Sequence, residues 1–181
     1  MKVGVPREIV TGERRVALVP DSVATLIQSG FEVLVEASAG LNANHSDESY
    51  ISAGATIVKD PETLYGSVGL ILKVQGPSLN EILGKHEVEL MVENTVVIAA
   101  FQPLSNLDLV ELLIGKGITC LSMDAIPRIA RAQKMDSLSS MSSLAGYKSV
   151  LIASNSLGKY FPMMMTAAAT VPPARGFILG A

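Results

Sequence analysis

Cysteine occurs once in this chain, at Cys120, and charged residues make up only 17% of it. A single thiol excludes internal disulfides and predicts a reducing, cytosolic setting. The net charge of −3 is mild, with no basic block, no interleaving of basic and aromatic residues and no acidic tail, so nucleic acid is not an expected partner. Long apolar runs are missing too. Glu93 and Asn94 interrupt even MVENTVVIAAF, well short of the roughly eighteen uncharged residues that span a bilayer. The N-terminal MKVGVPREIV lacks the apolar core of a signal peptide. These shortages predict a soluble chain. Its 181 residues, 49% of them hydrophobic, suffice for one large domain or for one domain plus the start of another.

What is present is an alternation. Short β-branched runs (KVGV, 2–5; EVLVEA, 32–37; ATIV, 55–58; GLILKV, 69–74; TVVIAAF, 95–101; ITCLSM, 118–123) are separated by helical patterns such as PDSVATLIQSG (20–30) and SNLDLVELLIGKG (105–117). Asp21 is placed to cap the first helix and Gly30 to end it; Ser105 or Asn106 and Gly117 do the same for the second. Continuous apolar strands between helices predict a doubly wound, Rossmann-like α/β fold with a parallel sheet covered on both faces, spanning residues 1–125. Residues 126–181 read as a polar loop, a crossover helix over 137–161 stopped by Pro162, and a strand, RGFILGA, opening a second Rossmann-type domain. In Leu-Gly-Ala, Gly180 reads either as the first glycine of a G-x-G-x-x-G dinucleotide loop or as the small residue that ends an ordinary strand. The second and third glycines are not in this sequence. Met163, Met164 and Met165 read as core filler.

The polar stretch RIARAQKMDSLSS (128–140) fits neither a surface helix nor a core strand. Its apolar members, Ile129, Ala132, Met135 and Leu138, fall every third residue. That spacing slips roughly 60° per step around an α-helix and leaves no buried stripe.

VPREIVTGERRVALVPDSV, RIARAQKMDSLSSMSSLAGYKSVL and KYFPMMMTAAATVPPARGFILGA together resemble the NAD(H)-binding domain of proton-translocating NAD(P) transhydrogenase. The first of them also resembles alanine dehydrogenase, which shares the N-terminal half. The resemblance implies that the polar stretch is a loop over the nicotinamide ring of NAD(H), with Arg128, Gln133, Asp136 and Ser139 as contacts. Ile129, Ala130, Arg131, Lys134 and Met135 would line the same surface, and the apolar side chains would pin the loop to its own domain. Gly180 and Ala181 would begin the phosphate-binding turn. It further implies hydride transfer from NADH to NADP+ on a partner domain that binds NADP(H), coupled to proton passage through a membrane domain. No catalytic acid, base or metal is called for, and Gln133 orients the reactants. The partners implied are a second copy (a homodimer), an NADP(H)-binding domain and a membrane domain, at the cytoplasmic side of the inner membrane. Two alternatives stand beside this reading. One is a truncated, non-catalytic fragment acting as an interaction module. The other is an alanine dehydrogenase-like enzyme, in which the equivalents of Arg15 and Lys73 would hold pyruvate. Against the latter, Gln102 stands where that enzyme has a histidine, and an amide cannot cycle a proton. His45, His86 and Cys120 lack metal-ligand spacing.

Overall fold

A computed structural model describes residues 1–179; Gly180 and Ala181, named above as the start of a phosphate-binding turn, lie outside the described residues. The chain forms two units, Met1–Met135 and Asp136 onward.

In the first unit the elements run β1 (Lys2–Val5), α1 (Pro20–Gln28), β2 (Glu32–Glu36), α2 (Asp47–Ser52), β3 (Thr56–Val58), α3 (Pro61–Ser67) and β4 (Leu70–Gln75). A small hairpin, β5 (Leu79–Asn80) and β6 (Lys85–His86), and the short helix α4 (Glu87–Leu90) follow. β7 (Val96–Ala100), α5 (Leu107–Gly115) and β8 (Thr119–Ser122) complete it. The main sheet has the order β3-β2-β1-β4-β7-β8, and every pairing in it is parallel. The chain winds outward from β1 in both directions, which places a topological switch point between β1 and β4.

Alternate residues serve opposite faces. Val3, Val5, Val33 and Val35 pack with Val23 and Tyr50, whereas Leu34, Ile71, Val97 and Ala99 pack with Tyr65, Phe101 and Leu113. Burial on both faces is why the strands read as unbroken apolar runs. Helices α1 and α5 end alike. Gly30 (φ +87°) donates to the Ile27 carbonyl and Phe31 to that of Leu26, while Gly117 (φ +68°) donates to Ile114 and Ile118 to Leu113. Both are Schellman closures, whose left-handed residue glycine adopts without a Cβ penalty. At the start of α1 the N-cap is Val19, with Asp21 in the first turn; at α5 it is Asn106, one of the two residues expected, though its side chain makes no capping hydrogen bond.

The second unit contains α6 (Ser137–Ser156) and a two-stranded antiparallel pair, β9 (Met164–Met165) and β10 (Thr170–Val171). Three expectations need correction here. Helix α6 stops at Ser156, not at Pro162, because the chain turns extended at Leu157 before Gly158. Met163, Met164 and Met165 are exposed, the last two forming one strand of a two-residue ladder. The described part of RGFILGA forms no strand, and Phe177 and Leu179 are 87% and 83% exposed. A strand needs a neighbour to satisfy its backbone, and among the described residues this segment has none.

Candidate functional site

The polar loop leaves the sheet from β8, an edge strand with one neighbour. From there it proceeds by single turns. The Ile129 amide donates to the Pro127 carbonyl at 2.9 Å, Ala132 to Ile129 at 3.0 Å, and Met135 to Ala132 at 2.8 Å. The last two bonds close three-residue steps, and Gln133–Met135 is a 3₁₀ turn. A 3₁₀ turn brings residues three apart into line. Ile129, Ala132 and Met135, the apolar column of the sequence pattern, are the residues that these two bonds join, each three apart. The three-residue spacing in the sequence is the signature of these turns.

Most of this segment faces solvent. Arg128, Ala130, Arg131, Gln133 and Lys134 are exposed, and among the described residues neither Arg128 nor Arg131 makes an ion pair. Of the apolar column only Ala132 is buried, while Ile129 and Met135 are each 55% exposed. Two of the three residues expected to pin the loop are therefore not buried. In the second unit, Asp136 N-caps α6: its carboxylate accepts from the Ser139 amide at 3.0 Å and the Ser139 hydroxyl at 2.6 Å.

The place where a doubly wound sheet usually takes its ligand, outside the carboxyl ends of the strands at the switch point, is occupied by the chain's own charges. Glu8, just past β1, accepts from the Val74 amide at 2.6 Å and the Gln75 amide at 3.4 Å. Lys73 Nζ lies 2.9 Å from Glu87 and 3.6 Å from Glu8, and Glu87 also accepts from the Tyr65 hydroxyl at 2.6 Å and the Ser78 amide at 2.8 Å. Burial raises the Glu8 pKa, an effect that Lys73 and the two amides only partly offset. Burial, reinforced by the Glu87 charge, drives the Tyr65 hydroxyl well above its ordinary value. Nearby, Arg15 is gripped through Nε and Nη2 by both Glu13 oxygens at 2.8 and 2.6 Å. The two cations that could hold a small anion already hold carboxylates. Beside them an open cleft of about 460 Å³ is lined by Gln75, Ser78, His86, Gln102 and Asn106. His86 serves structure, its Nδ1 accepting from the Val88 amide in a capping box. Among the described residues no cluster could hold a metal ion.

Sequence reasoning missed this buried cluster. Glu87 lies in a short acidic helix that reads as surface, and only the fold brings it under Lys73.

A six-stranded parallel sheet wound both ways from its first strand defines a Rossmann-like α/β domain. Its relatives narrow that class. Residues 4–145 match the family described as alanine dehydrogenase/PNT, N-terminal domain, and the chain belongs to that family. It is 42% identical to the NAD(P) transhydrogenase subunit alpha of Cereibacter sphaeroides, across 100% of this chain and 34% of the relative. It is 43% identical to an NAD(P) transhydrogenase alpha-subunit chain of Rhodospirillum rubrum, across 99% of this chain and 47% of the relative. Among solved structures, the transhydrogenase from Sinorhizobium meliloti superposes with a TM-score of 0.85 at 39% identity, over 96% of this chain and 50% of that one. The chain thus spans half or less of the length of these proteins.

Proposed function

We propose that this chain is the N-terminal portion of the NAD(H)-binding component of a proton-translocating transhydrogenase. In this reading the assembly moves hydride from NADH to NADP+ held by a partner domain, coupled to proton passage through a membrane domain. A second copy of the chain completes a homodimer, on the cytoplasmic side of the inner membrane. No helix among the described residues is long and apolar enough to cross a membrane itself. One observation carries the reading: in a chain so similar to transhydrogenase alpha subunits along its whole length, the polar segment after β8 presents an exposed guanidinium and an exposed amide on a short run of turns.

The residue chemistry suits an orienting surface. When bound, the nicotinamide rings supply the hydride chemistry themselves, so the protein needs no acid, base or metal. Its task is to hold the reacting carbons roughly 3–3.5 Å apart with water excluded. Arg128 offers a planar donor fork to a carboxamide oxygen or a phosphate. Gln133 both donates and accepts, which suits a ribose or a carboxamide. The Asp136 carboxylate accepts from an amide NH₂, and Ser139 adds a hydroxyl. The backbones of Ile129, Ala130, Arg131, Lys134 and Met135 complete the surface. Residues 126–181 then constitute the nicotinamide-contacting loop and the beginning of the nucleotide-binding domain.

The test is a chimera in which this chain replaces the matching stretch of the Rhodospirillum rubrum alpha-subunit chain, assayed with the remaining transhydrogenase subunits for NADH-dependent reduction of NADP+. Activity is expected, and Gln133→Ala is expected to cut turnover about 10–100-fold with the NADH KM nearly unchanged. A loss confined to KM would show that Gln133 grips its nucleotide and does not align it. The 181-residue chain alone is expected to be inactive and to bind NADH weakly, because the second and third glycines of the dinucleotide loop are not in its sequence. An alanine dehydrogenase activity is disfavoured by the Arg15–Glu13 and Lys73–Glu87 pairs and by Gln102. Pyruvate- and ammonia-dependent NADH oxidation by the chimera is the deciding assay, and none is expected.

A further inference from the structure

Between the end of β8 and Met135, the hydrogen bonds that tie the polar segment to the body of its unit converge, among the described residues, on Asp124. Asp124 Oδ1 accepts from the Phe101 amide at 3.0 Å and from the Ser122 hydroxyl at 2.6 Å, and Oδ2 accepts from the Gln102 amide at 2.9 Å. Phe101 is itself fixed. Its side chain is buried in the core, and its carbonyl accepts from Asn106 Nδ2 at 3.0 Å. Gln102 holds a left-handed conformation at φ +47°, and it precedes Pro103. Both facts disfavour that geometry for a side-chain-bearing residue, so the turn needs an external brace. The carboxylate supplies it with two backbone bonds at once. Hydrogen bonds from Ser122 and from the Phe101 and Gln102 amides outweigh the effect of burial and lower the Asp124 pKa.

We propose that Asp124 is the positioning residue of the polar loop. By clamping the β7–α5 turn it sets the origin from which residues 126–135 run, and with it the station of Arg128 and Gln133. The clamp is a feature of this unit alone; its functional meaning rests on the nicotinamide-contact reading above. Ala132 is the one buried apolar residue of the run itself.

Hydrogen exchange on the 181-residue chain tests the clamp without any nucleotide. Asp124→Asn keeps the shape but opposes an NH₂ to a backbone N–H, leaving one amide unpaired. Exchange at Ile129, Ala132 and Met135 is expected to quicken about tenfold or more while β1 and β4 stay protected, and Asp124→Glu should restore most of the protection. If only Phe101 and Gln102 lose protection, Asp124 braces its own turn and the proposal is wrong. Should Asp124→Asn loosen the whole unit, the same change is made beside Gln102→Gly, which removes the left-handed strain and steadies the turn independently. A loop that remains loose in that double variant supports the proposal; one that regains wild-type protection overturns it. In the chimera, Asp124→Asn is expected to lower turnover about 10–100-fold with less than a twofold change in the NADH KM. A chimera with no activity at all defeats the nucleotide reading and leaves the exchange result to judge the clamp.

Discussion

Replacing Lys73 by methionine is the sharpest perturbation of the first unit. The Lys73 side chain is 0% exposed and that of Glu87 2%. At an effective dielectric of about 20, attraction across 2.9 Å and 3.6 Å is worth about 6 and about 5 kcal/mol, most of it offset by the cost of burying the charges. Methionine fills the space and removes the cation, leaving two carboxylates facing each other without it. Breaking a buried pair in this way typically costs ~3–5 kcal/mol. Here a ceiling applies, because Glu8, whose pKa burial already raises, can escape by taking a proton. From an ordinary glutamate value of 4.5, protonation at pH 7 costs about 3.4 kcal/mol, and at pH 5 about 0.7. The variant should therefore lose about 3 kcal/mol at pH 7, roughly 6–12 °C in Tm, and recover most of that at pH 5. The sign is definite: the variant's folded state keeps a proton that the unfolded chain releases above pH 4.5, so its deficit grows as pH rises. Urea unfolding at pH 5 and pH 7 measures it. A deficit equal at both pH values, or none at either, would refute the claim that Lys73 balances buried negative charge.

Other outcomes follow from the same geometry. Hydrogen bonds and the charge from Arg15 hold the Glu13 carboxyl down to about 2, so its stabilising effect is full above the ordinary 4.5 and is lost as pH falls toward about 2; carboxyl-detected NMR should place its midpoint there. Tyr65→Phe removes a hydroxyl bond to a buried carboxylate and should cost ~1.5–3 kcal/mol in chemical denaturation. Gly117→Ala forces a Cβ into a left-handed cap and should destabilise by about 1 kcal/mol, whereas Gly66→Ala, with open space and an ordinary backbone in α3, should not. Asp136→Ala should cost ~0.5–2 kcal/mol through the lost cap, visible as reduced helical circular dichroism.

The main sheet was legible because its signal is local and repeated. Six apolar runs bounded by caps and glycines leave little freedom, and all six are strands within a residue or two of their expected ends. The short elements α2, α3, α4 and the β5–β6 hairpin carry too few residues for a periodic pattern, and none was anticipated. In the second unit, apolar content misled. Leu144, Tyr147 and Leu151 fall at helical spacing yet are exposed, because that spacing reports which residues share a face and not whether anything covers it. The polar loop announced itself by breaking both periodicities. Its anchor did not: Asp124 resembles any aspartate at a strand end until the fold lays Phe101 and Gln102 against it.

The turn-by-turn build of the loop has a consequence for its length. One residue inserted between Ile129 and Met135 would advance everything beyond it by about a third of a revolution. Placed before Ala132, it would carry Gln133 into the station that Lys134 now holds and leave Ala132 in the one Gln133 vacates. Such a segment can be lengthened or shortened cleanly only by whole triplets. Its residue count is therefore as much a part of its chemistry as the side chains it bears.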